Sequence, residues 1–413
     1  MKTILFSPIT FNLATTGRTI AIAKALANDF HCHFSSYGGA FETLIEEEGF
    51  PLTRLEPPFT PQKIKRMYAI DQARWIGSSH SVDFVRQMVH SELALYESLQ
   101  PAAVVTGMNP STCISCPVAQ VPLVWVIQSG VAMNTAARLG KLKNMDVLDT
   151  VPIRWLPDGL RVKLSEMILN GVFAFAAKSF NRVAVEYGLE PFRCVEDMFC
   201  RGYDLLTAEP PGFSDIPLPP HAHLIGPLIT RLNGPIPDEL LNLPRDLPIV
   251  YLAMGSSGRA DVIAHIIAGF AGKPYRVIAP VKHPLDGRSV QIPENVLVTG
   301  WLPAHKVNPL ADISVIHGGI GTIMTACLAG KPVVGVAMSP EQLINLENLV
   351  QKGFAIRIPK GSLTPDRLYH AIERLLADPV AQEKAREYQK VVEEWDTPQH
   401  IRRFFCERFG GNL

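Results

Sequence analysis

Neither sign of charge is in excess in this chain: Lys+Arg and Asp+Glu each number 39 in 413 residues. Nucleic-acid binding shows as a basic surplus, so that partner class is set aside, while small-molecule chemistry is left open. No apolar run approaches the ~20 residues of a membrane-spanning helix. The start, "MKTILFSPITFNLATTG", has one lysine and a very short apolar run before Pro8, too little for a secretory leader. It reads as a first strand followed by a loop. These lacks point to a soluble, cytoplasmic protein, with docking on a membrane surface left open. Seven cysteines are scattered without framework spacing. Cys113 and Cys116 form a lone CxxC, and Cys194 with Cys200 is wrongly spaced for the second pair of a zinc site. Buried free thiols and no metal are expected.

The length is too great for one ordinary core, and apolar residues at 47% against 19% charged give a globular chain, so two domains are expected. In the first half, strand patterns ("TILFSPI", "HCHFSSY", "AAVVTG", "PLVWVI") alternate with helix patterns ("RTIAIAKALAND", "FETLIEEEG"). That alternation implies parallel strands with crossover helices. Residues 51–90 interrupt it with aromatics, prolines and basic residues, and read as a long irregular insertion. Residues 128–200 look largely helical, and the run 161–185 is strongly apolar. It could be core, a pocket wall or a membrane-facing patch.

A proline-rich stretch around 208–248 reads as irregular structure containing an interdomain linker. After it the alternation restarts with "PIVYLAMGSSG", "ADVIAHIIAGFAG", "YRVIAP", "NVLVTGWLP" and "ADISVIH". The expected boundaries are 1–230 for an acceptor-binding domain, 231–245 for the linker and 246–390 for a second domain. A last segment, 391–413, is expected to cross back onto the first domain. Two such domains leave a cleft between them, a favoured place for a ligand.

The densest chemistry lies in "SVIHGGIGTIMTACLAGKP", residues 314–332. "DISVI" reads as a strand, "HGGIG" as a turn, and "TIMTACLAG" as a helix ended by Gly330 and Pro332. Such a turn bares backbone N–H groups at a helix N-terminus, where the helix dipole favours an anion. His317 can add an imidazole and Thr322 a hydroxyl. A diphosphate would suit it, though a tight strand-to-helix turn uses the same glycines. The spacing is neither the dinucleotide fingerprint nor the P-loop.

From Trp301 to Gln342 the chain resembles the nucleotide-sugar signature of family 1 glycosyltransferases. Trp301 and Pro303 match its W-x-P start. His317, Gly319, Gly321 and Thr322 match its turn, Gly330 and Pro332 its G-x-P, and Glu341–Gln342 its final acidic–Gln pair. "VYLAMGSSG" and "HLIGPL" are similar to two further family elements. The resemblance implies an α/β GT-B fold: two Rossmann-like doubly wound domains facing a cleft. It implies an inverting, metal-independent hexosyltransferase using a UDP- or dTDP-sugar as co-substrate, with no resident cofactor. Trp301 would lie against the base, and Leu302 would belong to the nucleotide site. Gly255, Ser256, His317, Gly319, Gly321 and Thr322 would hold the diphosphate, and Glu341 and Gln342 the sugar. Thr325 stands where plant and animal members carry a glutamate, so "HGGIGTIMTACLAG" is closest to the bacterial antibiotic and sterol type. The Gln of W-x-P-Q is Ala304 here.

The acceptor side departs further. Aligned on "AIAKAL", Arg18 takes the place of the family's proline and Thr15 that of its catalytic base, while Gly107 stands for the aspartate that orients it. The catalytic base is therefore unassigned. His33, His80 or Asp71 could serve. Otherwise the acceptor needs no strong base, the alignment is offset, or the protein binds nucleotide sugars with little or no transfer. A GT-B epimerase is disfavoured by the signature. The aromatic 51–90 stretch and the apolar 161–185 run point to a small hydrophobic acceptor.

Overall fold

The computed structural model describes residues 1–71, 77–201, 204–232, 234–255 and 258–410, without the side chains of Asp71 and Cys200. The first sheet has seven parallel strands: β1 (Thr3–Phe6), β2 (His31–Ser36), β3 (Leu52–Arg54), β4 (Ala103–Thr106), β5 (Leu123–Ile127), β6 (Asp204–Thr207) and β7 (Ala222–Leu224). Their order is β3-β2-β1-β4-β5-β6-β7, with Ile4 paired to Cys32 on one side and Ala103 on the other. The second sheet has six: β8 (Ile249–Ala253), β9 (Arg276–Ala279), β10 (Val296–Val298), β11 (Ile313–Ile316), β12 (Val333–Gly335) and β13 (Ala355–Arg357). Its order is β10-β9-β8-β11-β12-β13. Central strands such as "LVWVI" and "IVYLA" are buried along their whole length. Helices cover both faces of a parallel sheet, which is why these runs are apolar without alternation.

Both sheets reverse direction beside their first strand, between β1 and β4 and between β8 and β11. In open α/β sheets a crevice forms at the carboxyl ends of the strands at such a point. The loops after β1 and β4, and those after β8 and β11, are therefore where function is expected.

Three local readings are corrected. The 51–90 stretch is not one irregular loop: it contains β3 and the helices Pro61–Asp71 and Val82–Leu99, the second capped by Ser81. The proline-rich stretch contributes the edge strand β7 and a short helix, Asp238–Leu241. An edge strand of three residues needs few backbone donors, so flanking prolines are tolerated. The first helix is Leu13–Leu26, starting before "RTIAIAKAL" because the Asn12 side chain caps the amides of Ala14 and Thr15. Thr15 thus sits in a first helical turn and not in a loop.

The C-terminal helix, Thr397–Phe409, lies on the first domain. Phe404, Phe405 and Phe409 join the core of the first sheet, Arg402 pairs with Asp29 at 2.8 Å, and Arg408 with Asp204 at 2.9 Å. Trp395 donates its indole N–H to the Ile225 carbonyl at 3.0 Å. Gly226, at φ +97°, lies directly under that indole, where a Cβ would overlap it. The "GPL" glycine is thus a packing requirement of the returning segment. A smaller apolar seam joins the domains, with Ala132, Ala136, Leu142 and Ile216 of the first packed against Leu343 and Ile344 of the second.

Candidate active site

His317 follows β11, and its side chain is buried against the turn after β8. Its Nδ1 stands 3.4 Å from the Ala253 carbonyl and 3.5 Å from the Thr322 hydroxyl. The ring lies between two glycines. A Cβ on Gly255 would come within 2.5 Å of it and one on Gly319 within 2.6 Å. Gly255 also has φ +63°, in the left-handed region. Burial lowers the imidazole to about 4, so the ring is neutral at pH 7.

Gly319 caps the helix Ile320–Leu328, whose first amides have no partner within the helix. Thr322 donates its hydroxyl to the Gly319 carbonyl at 2.8 Å and so braces the turn. A Cβ on Gly321 would meet nothing within 4 Å, so the turn is open on that side. Gly255, His317, Gly319, Gly321 and Thr322 are thus brought together at the β8/β11 crevice. Ser256 lies outside the described residues.

Trp301, after β10, is 36% exposed. Its indole stacks on His283 at 5.4 Å and meets the edge of Phe41, from the first domain, at 5.9 Å. Leu302 is different: its side chain is buried in the core of the second domain and is not offered to a ligand.

Glu341 and Gln342 part company. Ser339 caps their helix, Pro340–Lys352, and Gly353 ends it at φ +85°. Gln342 is buried, with its Oε1 accepting from the Met338 amide at 2.8 Å. That oxygen secures the preceding turn. Glu341 faces the first domain, where its Oε1 accepts from Gln128 Nε2 and Asn345 Nδ2, each at 2.6 Å. Gln128 in turn accepts from Arg18 Nη1 at 2.8 Å, and Asn345 also donates to the Gly318 carbonyl at 3.2 Å. A chain of polar contacts thus runs from the first helix, through the loop after β5, to the glycine turn. Arg18 is buried. Desolvation lowers its guanidinium from the usual value, and Glu341 partly offsets this. Gly130 lets the domains close here, since a Cβ would come within 2.6 Å of Asn345 Oδ1.

On the acceptor side, a Cβ on Gly107 would stand 3.5 Å from the Thr15 Cβ. The two positions aligned with the family's dyad are therefore neighbours at the β1/β4 crevice, and neither carries a base. The Thr15 hydroxyl donates to the carbonyls of Ile9, at 2.8 Å, and Asn12, at 3.0 Å. His33 bonds Thr53 at 2.8 Å within the sheet. His80 is buried among Phe59, Phe84 and Phe180, its Nε2 without a hydrogen-bond partner. Burial, with Lys63 and Arg66 nearby, lowers it to about 3. The side chain of Asp71 lies outside the described residues. Phe11, in the loop after β1, packs on Phe59 at 6.1 Å and on Tyr68 at 5.3 Å, and Tyr37 stacks on Phe59 at 5.3 Å. The 51–90 stretch thus adds Phe59 and Tyr68 to a buried aromatic cluster beneath the loop after β1.

Arg18, Gln128, Asn345, His283 and Phe41 were not singled out as site residues from the sequence. Gln128 carried one usable signal, its place directly after the buried strand β5.

Two switch points facing one cleft, with a His–Gly turn at a helix N-terminus on one side, define the class: this is the GT-B fold of glycosyltransferases. The solved structure titled spinosyn forosaminyltransferase SpnP superposes with a TM-score of 0.69 at 16% identity, covering 99% of both chains. Spinosyn rhamnosyltransferase SpnG, solved with thymidine diphosphate, gives 0.66 at 14% identity, covering 98% of this chain and 100% of that one. At these identities the likeness carries the fold.

In sequence, residues 276–404 match the C-terminal domain of the erythromycin biosynthesis protein CIII-like family. A "PGL/p-HBAD biosynthesis rhamnosyltransferase" of Mycobacterium bovis (strain BCG / Pasteur 1173P2) is 25% identical over 384 residues, 91% of this chain and 81% of the relative. A "PGL/p-HBAD biosynthesis glycosyltransferase" of Mycobacterium tuberculosis (strain ATCC 25177 / H37Ra) is 23% identical over 414 residues, 96% of this chain and 91% of the relative. The chain is a glycosyltransferase, and its residues 276–404 are similar to the erythromycin CIII-like C-terminal domain.

Proposed function

We propose that the protein transfers a hexose from a UDP- or dTDP-sugar to a small hydrophobic acceptor, with inversion and without a metal. The observation that carries this is the His317 ring held between Gly255 and Gly319, beside a helix N-terminus that is open at Gly321. In the displacement, an acceptor atom attacks the anomeric carbon as the carbon–oxygen bond to the diphosphate breaks. The diphosphate leaves with the electron pair, the turn amides stabilise the charge it gains, and the acceptor's proton passes to the departing diphosphate or to solvent. Trp301 offers a flat surface to a pyrimidine base, and Glu341 accepts hydrogen bonds from sugar hydroxyls. Tyr68, half-buried beside Phe11 and Phe59, gives the loop after β1 an apolar character that suits an apolar acceptor. That a neighbour of the same fold was solved with thymidine diphosphate supports a nucleoside diphosphate as the donor's leaving group.

A second reading, nucleotide-sugar binding with little or no transfer, is favoured by one observation: Thr15 and Gly107 occupy the two dyad positions side by side. The test is a panel of UDP- and dTDP-sugars read by thermal shift, followed by donor consumption with a broad set of apolar acceptors. Stabilisation with turnover is expected. Stabilisation without turnover across the panel selects the binding protein, and no shift with any donor refutes both readings.

A further inference from the structure

We propose that the segment 151–182 docks the protein on an anionic phospholipid bilayer. Of the large apolar residues exposed in the described structure, more than half lie between Leu139 and Val185. Trp155 is 72% exposed, Phe175 65% and Met167 63%.

The helix Asp158–Glu186 arranges them in one stripe. At 3.6 residues per turn, Leu160, Lys163, Met167, Phe175, Lys178 and Arg182 fall within about a third of its circumference. The opposite face, with Phe173, Ala177, Phe180 and Val183, is buried in the core of the first domain. An outward face of a globular protein is ordinarily the polar one. Here it is apolar and cationic, and no carboxylate lies in the stripe between Leu160 and Arg182. Glu166 points elsewhere on the helix, to Arg138 at 2.7 Å. Just before the helix, Trp155 stands exposed beside Val151 and Leu156, with the Arg154 guanidinium 5.9 Å from its ring.

The charge pattern selects the occupant. Arg182 is paired with Glu186 at 3.7 Å, but a second copy meeting this stripe through a two-fold axis would set Lys163 and Lys178 against their own kind. An anionic lipid surface neutralises them. It also takes the indole at headgroup depth and the aliphatic side chains just below. No helix among the described residues is long and apolar enough to cross a membrane, so the contact is interfacial. The helix that carries the stripe is also joined to the aromatic cluster beneath the loop after β1. On the same helix Phe180 packs on His80 at 5.7 Å, and His80 packs on Phe59 at 5.5 Å. A docked molecule would hold the acceptor end of its cleft close to bilayer-dissolved substrates; this last clause rests on the transferase reading, whereas the docking itself does not.

The test is co-sedimentation with vesicles of phosphatidylcholine alone and of phosphatidylcholine with phosphatidylglycerol, without donor or acceptor. Binding to the anionic vesicles, weakened at least tenfold by 0.5 M salt or by Trp155→Glu with Phe175→Glu, is expected. Lys163→Glu with Lys178→Glu should weaken it similarly, and all variants should keep the thermal midpoint of the parent. The proposal is overturned if the parent ignores anionic vesicles, or if its binding survives the substitutions. It is also overturned if sedimentation equilibrium shows a dimer that Trp155→Glu dissolves, which would make the stripe a subunit interface.

Discussion

Replacing Gly319 by alanine tests the anion turn at the point where its geometry is tightest. Gly319 has φ −64° and ψ 139°, which alanine adopts without strain, so backbone cost is small. The new Cβ would stand 2.6 Å from His317 Nε2, whereas ordinary contact begins at 3.4 Å, so the ring must give way by the difference, 0.8 Å. The ring cannot retreat freely, because the Gly255 backbone closes its other side. Overpacking of this kind costs about 1–3 kcal/mol. For a domain of this size that lowers the melting temperature by roughly 2–4 °C per kcal/mol. Displacing the imidazole should also shift the turn it supports and cost the donor diphosphate one backbone hydrogen bond to a charged group, about 1.5–3 kcal/mol, or roughly 10- to 150-fold in affinity. The decisive assay is a double-mutant cycle with His317→Ala, read by denaturant unfolding and by UDP or dTDP titration. With the ring gone, Gly319→Ala should cost almost nothing, giving a coupling of about 1–3 kcal/mol. If Gly319→Ala is as costly in the His317→Ala background as in the parent, the clamped-ring account is wrong.

Thr15→Ala removes a hydroxyl that holds the first helical turn, at about 1 kcal/mol. Calorimetry should find donor binding unchanged, and a loss of binding would contradict the division of labour between the domains. Gln128→Leu breaks the link from Arg18 to Glu341, each bond to a charged partner being worth about 1.5–3 kcal/mol. It should weaken binding of the sugar-linked nucleotide more than that of bare nucleotide, and equal losses would remove Glu341 from the sugar site. Acid should destabilise the protein through His317. In the unfolded chain its imidazole gains a proton as pH falls through 6.5, but in the folded chain only near 4. Stability therefore falls as pH drops across that window, by about 2 kcal/mol at pH 5 from this group. His80, lowered to about 3, acts in the same direction. Urea unfolding at pH 7.5 and pH 5 should show the loss, and His317→Asn should reduce it.

Much of the site was legible because its signals are local. A glycine turn between an apolar run and a helical run identifies an open helix N-terminus whatever the rest of the chain does. The return of the last segment was readable from order along the chain, yet the reason for the glycine of "GPL" was not. That reason is an indole 169 positions further on, at Trp395, whose ring fills the place of a Cβ on Gly226. Glu341 and Gln342 read as an equivalent pair. Successive helical residues point about 100° apart, so when one faces the cleft the other must face the turn beside it.

The sequence by itself determined the central strands, the glycine turn and the order of the two alternating halves, all of which depend on neighbours within a few residues. Only the tertiary structure decided which side chains reach the cleft. It turned Leu302 and the Gln342 oxygen inward. It set Thr15 against Gly107, and it joined Arg18 to Gln128 across 110 residues and Gln128 to Glu341 across 213. Such contacts are chosen by how buried faces pack and by the need to pair every polar group they enclose, and neither is written in the spacing of residues along a chain.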